Sequence, residues 1–208
     1  MDIMSAVITL VILIYSAILH EISHGFVAER FGDPTARLAG RLTLNPRKHI
    51  DPMMSIALPL ILLISGSPVI IGAAKPVPVD PFNLRDGRKD LALVALSGPL
   101  TNVILAILAS FIIKIITNFE PNEFLSFLRL IFSSIAGLNL LLAIFNLIPI
   151  PPLDGSKIFA LLLPERLANV FLSLGSIGIF IIFFLLLSGG LGGIIVSLLS
   201  FSSKLLGL

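Results

Sequence analysis

Hydrophobic positions along the chain fall into long unbroken blocks separated by short polar stretches, unlike the one-sided stripes of water-soluble helices. The first block, Ile3 to Leu19, runs seventeen residues without a charge. At about 1.5 Å per residue it covers about 26 Å, close to the hydrocarbon thickness of a bilayer, and it predicts a membrane helix. The helical pattern continues through His20, Glu21, Ile22, Ser23 and His24 to about Phe31, where Gly32, Asp33 and Pro34 supply a stop. Arg37 to Pro52 is a polar, basic connector in which Arg41 to Leu44 alternates like a short strand. Met53 to Ala74 is apolar but interrupted by Pro59, Gly66, Pro68 and Gly72, which predicts a half-crossing that re-enters on the same side. Lys75 to Asp80 reads as an extended element that Pro76 and Pro78 confine to a sheet edge.

Further along, Leu91 to Ile116 and Phe127 to Ile148 predict a second and third span, with Glu120 and Glu123 in the turn between them. Leu167 to Leu187 predicts a fourth, and Leu191 to Leu206 an apolar tail lying in the interface. The expected fold is therefore an all-α polytopic membrane protein. It is a bundle of about four to six membrane segments with a re-entrant segment and short edge strands, forming one integral-membrane domain over residues 1–208. The first block lacks a basic leader and a small-residue cleavage site, so it is expected to stay in the mature protein.

Composition agrees: 56% of residues are hydrophobic and 12% charged, and the mean hydropathy of +1.07 exceeds what a soluble core of this size would hide. A net charge of +2 gives no reason to expect nucleic acid, and the absence of cysteine excludes disulfides, thiolate metal sites and cysteine nucleophiles. The basic residues report topology instead. If residues 53–74 re-enter, then Arg30, Arg37, Arg41, Arg47, Lys48, Lys75, Arg85, Arg88, Lys89, Lys157 and Arg166 share one cytoplasmic face and Glu120 and Glu123 take the other.

The chemistry concentrates at His20-Glu21-Ile22-Ser23-His24. On a helix this H-E-x-x-H spacing sets two imidazoles one turn apart on one face with a carboxylate beside them, an arrangement suited to zinc and a general base. Ionisable groups at membrane depth cost of order 3 kcal/mol apiece, so the cluster needs a compensating partner, and a metal ion is one. Zinc with an open position needs a third protein ligand, for which His49, Asp51, Asp33, Glu29 and Asp154 are candidates. Asp154 ranks first because it follows a span behind a helix-breaking proline run, with Gly155 permitting close backbone approach.

Together with Gly98 and Asn102 in a G-x-x-x-N pattern, Asn146 and Pro149 in N-x-x-P, and Asp154-Gly155, these residues resemble the site-2 protease family of intramembrane zinc metalloproteases over most of the chain. The nearest subtype is the short form without a PDZ domain. The resemblance implies one zinc per chain held by His20, His24 and Asp154, with Glu21 and Asn146 as catalytic groups, Asn146 near the scissile carbonyl, and Asn102 packed close to the zinc helix. Its expected substrates are transmembrane proteins in the lipid bilayer of a prokaryotic plasma membrane, cut near the cytoplasmic face and received as an added strand along Arg41 to Leu44 and Lys75 to Val79. The distal motif departs from the plainest form in carrying Pro149, Pro151 and Pro152. Two readings compete: a membrane metal or ion transporter using the same His, Glu and Asp cluster, and a silent scaffold. Gly98 and Asn102 are equally readable as a small-residue packing face.

Overall fold

The structure, a computed structural model, describes residues 3–57, 61, 64 and 74–208. Among these, three helices are long and apolar enough to cross a membrane. They are α1 (Ile3–Arg30), α3 (Gly87–Ile116) and α4 (Glu123–Asn146). A short turn of helix, α2 (Thr35–Leu38), follows α1, and α5 (Asp154–Phe159), α6 (Glu165–Ser173), α7 (Gly175–Leu187) and α8 (Gly190–Leu206) complete the chain.

Helix α3 is the axis of the bundle. Of its most apolar eighteen-residue window 44% is buried, against 17% for α1 and 22% for α4, so α3 is the helix whose neighbours must fit closely. Its buried positions are mostly small: Ala92, Ala95, Gly98, Ala106, Ala109 and Ser110. Lipid tails are as apolar as leucine, so helices gain little by hiding leucines from them; small residues let backbones approach and gain dispersion contact instead. The large side chains accordingly face outward, among them Leu10, Val11, Tyr15, Leu108 and Phe111. On α1 the buried stripe is Ser16, His20, His24 and Ala28, each one turn from the last.

The connector after α1 is held by a buried carboxylate. Asp33 is fully enclosed and accepts hydrogen bonds from the Thr35 amide and hydroxyl, the Asn83 side chain and the Asp80 amide, the last at 2.7 Å. Burial alone would raise its pKa, but these donors outweigh burial and hold it below the ordinary 3.8. The Arg85 amide bonds the Phe31 carbonyl at 3.2 Å, which ties the start of α3 to the end of α1.

The expected edge strands do not form among the described residues. Arg41 to Leu44 is a series of bends and 74–80 has no ladder. Pro76 and Pro78 remove alternate donors. Of the remaining amides, Lys75 N–H bonds the His49 carbonyl at 2.8 Å and Val77 N–H bonds the Glu21 carboxylate at 2.6 Å. The chain thus returns at Lys75 to the place it left at His49. Most of the segment between them, for which a re-entrant half-crossing was expected, lies outside the described residues.

Leu167 to Leu187, expected as a fourth span, is divided into α6 and α7, which meet at Leu174 and are bent by 69°, the form of a broken span or a re-entrant loop. The Pro151 carbonyl crowds Gly178, where an added Cβ would lie 1.7 Å from the oxygen, so the 147–153 turn seats itself against α7. Residues 191–206, expected as an apolar tail in the interface, form a helix with one packed face. Leu191 and Ile195 join Ile182 in a core with Ile144, Phe145, Ile148 and Leu153 flanking it, and Ser203 and Gly207 share a cleft with Arg129 and Ser133. Helix α8 therefore runs antiparallel along α4.

Candidate metal centre

The α1 stripe delivers both histidines to the interior, with 6% and 8% of their surfaces exposed. Each ring is oriented through its Nδ1. That of His24 lies 2.7 Å from the Val94 carbonyl, an oxygen that can only accept, so His24 carries its proton on Nδ1. That of His20 lies 2.6 Å from Asn102 Oδ1 and donates likewise. Both Nε2 atoms are thereby left to face one another, 3.0 Å apart.

Asp154 completes the cluster from the first turn of α5. Its Oδ2 is 3.1 Å from His20 Nε2 and 3.2 Å from His24 Nε2, and the residue is 6% exposed. Gly155 makes this placement possible, since a Cβ there would fall 2.2 Å from the Leu147 carbonyl. The other carboxylate oxygen, Oδ1, accepts from Lys157 Nζ at 3.1 Å.

Three buried atoms that can each act as an acceptor lie 3.0–3.2 Å from one another, which is unfavourable unless a proton or a metal cation lies between them. Donors about 2.0–2.1 Å from a tetrahedral zinc sit about 3.3 Å from each other, close to the separations found. The residues fit zinc. Helix α3 closes in on the same point at Gly98, where a Cβ would lie 2.5 Å from atoms of both imidazoles.

Glu21 lies beside this cluster: it offers a carboxylate oxygen within 4.8 Å of the His20 and His24 donor atoms, while its Oε2 is held by the Val77 amide. The other candidate ligands are engaged elsewhere. Glu29 pairs with Arg37, Asp33 organises the connector, Asp51 caps the Met53 amide at 2.9 Å, and His49 Nε2 donates to the Thr43 carbonyl at 2.8 Å. Asn146 stands at the end of α4 with its Nδ2 on the Leu142 carbonyl at 3.0 Å, and among the described residues no hydrogen bond joins it to the cluster.

Sequence reasoning left Asn102 as a packing residue or a neighbour of the zinc helix; it is the partner of His20. Three further groups were missed. Asn139 is fully buried behind Asn102, and an asparagine inside an apolar block was the signal that could have found it. Lys157 was read for topology alone. The Val77 amide left no signal, since a backbone group contacts a side chain without any trace in residue type.

We expect Asp154→Ala to weaken zinc binding at least about 100-fold, because loss of a group that only supports a ligand already costs 10–100-fold. His49→Ala should leave the metal in place. Zinc content after dialysis against a graded chelator separates the two, and a His49 variant stripped of metal beside a loaded Asp154 variant would reverse the assignment.

Comparison with known proteins gives a consistent picture. The model of peptidase family M50 matches residues 114–189, a span that contains Asn139, Asn146 and Asp154. A Bacillus subtilis protein named "Putative zinc metalloprotease YwhC" is 37% identical over 187 residues, covering 88% of this chain and 81% of the relative. "Putative zinc metalloprotease Rip2" of Mycobacterium tuberculosis is 37% identical over 140 residues, 67% of this chain and 51% of its own length. "Putative zinc metalloprotease MJ0611" of Methanocaldococcus jannaschii is 46% identical over 65 residues, 31% of each chain. No solved structure matches.

Proposed function

The chain belongs to peptidase family M50, and from that premise we propose that it is a single-domain, zinc-dependent endopeptidase that cuts peptide bonds within or next to transmembrane segments of other membrane proteins. The observation that carries the reading is the convergence of His20 Nε2, His24 Nε2 and Asp154 Oδ2 inside an apolar bundle, with the Glu21 carboxylate alongside.

When bound, one zinc per chain would polarise the scissile carbonyl and lower the pKa of water to about 7. His20, His24 and Asp154 hold it, each imidazole fixed through Nδ1 so that Nε2 points inward. Glu21 accepts the proton of the attacking water and returns it to the leaving amine nitrogen. The Val77 N–H orients the Glu21 carboxylate through Oε2 and leaves Oε1 to carry the proton. Asn146 commits one of its Nδ2 hydrogens to Leu142; the other donates to the oxyanion that develops on the substrate. Burial of the cluster excludes bulk water and strengthens each of these interactions.

A helical membrane substrate should be cut inside its apolar segment. Mass spectrometry of the new termini after incubation with zinc-loaded protein tests this, and cleavage confined to water-exposed loops would contradict it.

The end of the bundle where α1 stops and α3 starts gathers the basic loops, and we assign it to the cytoplasmic side of a prokaryotic plasma membrane. The chain has no native cysteine, so single cysteines placed at 45–48 and 85–89 should both label from that side; labelling from opposite sides would overturn the orientation.

A further inference from the structure

Behind His20 lies a chain of side-chain amides that joins three helices. His20 Nδ1 donates to Asn102 Oδ1 at 2.6 Å, Asn102 Nδ2 donates to Asn139 Oδ1 at 2.8 Å, and Asn139 Nδ2 donates both to Ser16 Oγ at 2.9 Å and to the Ile135 carbonyl at 2.8 Å. Both asparagines are fully buried, so water does not substitute for any of these partners. Ser16 and His20 lie one turn apart on α1, so the chain closes on the helix it started from.

The direction of the chain is fixed at one end. The Ile135 carbonyl, one turn back on α4, can only accept, so the nitrogen of Asn139 must face it. Rotating that amide by half a turn would bring two acceptors together in an apolar interior, which is costly. With Nδ2 so placed, Oδ1 faces Asn102 and requires its nitrogen; Asn102 then presents Oδ1 to His20 and requires a proton on Nδ1. The outcome at the far end is a bare Nε2 pointing into the cluster.

We propose that Asn139 is a positioning residue for the metal centre: anchored on the Ile135 carbonyl, it sets the orientation of Asn102 and through it the tautomer in which His20 offers Nε2 to zinc. The inference rests on the reading of His20 as a zinc ligand. It goes beyond that reading in assigning a role to a residue that touches neither the histidine nor the metal. Ordinary interhelical adhesion would also place an asparagine here, and the two roles separate experimentally. Ser16→Ala removes a bond between α1 and α4 but leaves the anchor to Ile135, whereas Asn139→Leu removes anchor and orientation together.

Zinc affinity is measured on the full chain in detergent by competition with a chelator, in wild type, Asn139→Leu and Ser16→Ala. The Nδ1 proton of His20 is followed in the zinc-free proteins by nitrogen-15 NMR. The chain has three histidines, and His49→Gln simplifies the assignment. The proposal expects Asn139→Leu to bind zinc 10–100-fold more weakly, the range found on losing a group behind a ligand, and to lose the slowly exchanging Nδ1 proton. Ser16→Ala should stay within about threefold of wild type, the worth of one typical interhelical hydrogen bond, and keep that proton. Equal losses in the two variants, or an unchanged affinity and Nδ1 proton in Asn139→Leu, would overturn it. A wild type that binds no zinc would instead overturn the zinc reading beneath it. Should leucine prevent folding, Asn139→Ala adds no bulk and carries the same expectations.

Discussion

Glu21→Gln is expected to lower turnover by about two to four orders of magnitude, the range for removing a general acid–base group, while leaving zinc and fold in place. The substitution keeps the size of the side chain and the oxygen that accepts the Val77 N–H, so the segment at Val77 should remain seated. It removes only the ability to take a proton. In the proposed site the metal has three other protein donors, His20, His24 and Asp154, which lie together in the structure, so its retention should not depend on position 21. The comparison uses a helical substrate embedded in detergent micelles, with wild type and variant at equal zinc content. Near-normal turnover in the variant would remove Glu21 from the proton-transfer role.

Gly98→Ala should be nearly as damaging for a different reason. The added methyl would fall 2.5 Å from His20 Cε1 and Nε2 and from His24 Cε1, well inside van der Waals contact, and both ligand rings or the whole of α3 must move. A misplacement of about 1 Å can cost about 100-fold in rate, and here the displaced rings are the proposed ligands, so zinc affinity should fall as well. Helix propensity works in the opposite direction, since alanine is favoured over glycine by about 1 kcal/mol in a helix interior. Loss of zinc with undiminished helix content is therefore the expected signature. Gly137→Ala serves as the control, because nothing lies within 4 Å of its would-be Cβ and the same gain in propensity applies without the clash. Equal zinc affinity in the two variants would show that close approach at Gly98 is not what shapes the centre.

The parts of this architecture that follow from local rules were legible in the sequence. Two imidazoles four residues apart must share a helix face, and that face, continued to Ser16 and Ala28, is the buried one. Spans at Leu91–Ile116 and Phe127–Ile148 were legible because an apolar run of that length, in a chain this hydrophobic, is satisfied only by a helix that crosses the bilayer. Asp154 was reachable because a proline run must end a helix and a glycine permits close approach.

What failed depends on partners far along the chain. Hydropathy reports that Leu191 and Ile195 prefer to leave water but does not tell lipid from protein as the destination, so their packing against α4 was hidden. Alternating residues at Arg41–Leu44 and Lys75–Val79 suggested strands, yet Arg41–Leu44 forms bends, and in Lys75–Val79 two prolines lack an N–H and the Glu21 carboxylate takes the Val77 amide. Asn102 and Asn139 each looked like an isolated polar residue in an apolar block. Their roles reside in the order of the hydrogen bonds, which the position of the Ile135 carbonyl determines.

The central claim is that peptide-bond cleavage depends on a metal held by His20, His24 and Asp154. Its most direct test is a single wild-type sample assayed on a membrane-embedded helical substrate before chelation, after a chelator has removed its metal, and after stoichiometric zinc has been restored. The account predicts that cleavage disappears on chelation and returns with about one zinc per chain, as a single site with three protein ligands and one open position requires. Cleavage that persists in metal-free protein would contradict it.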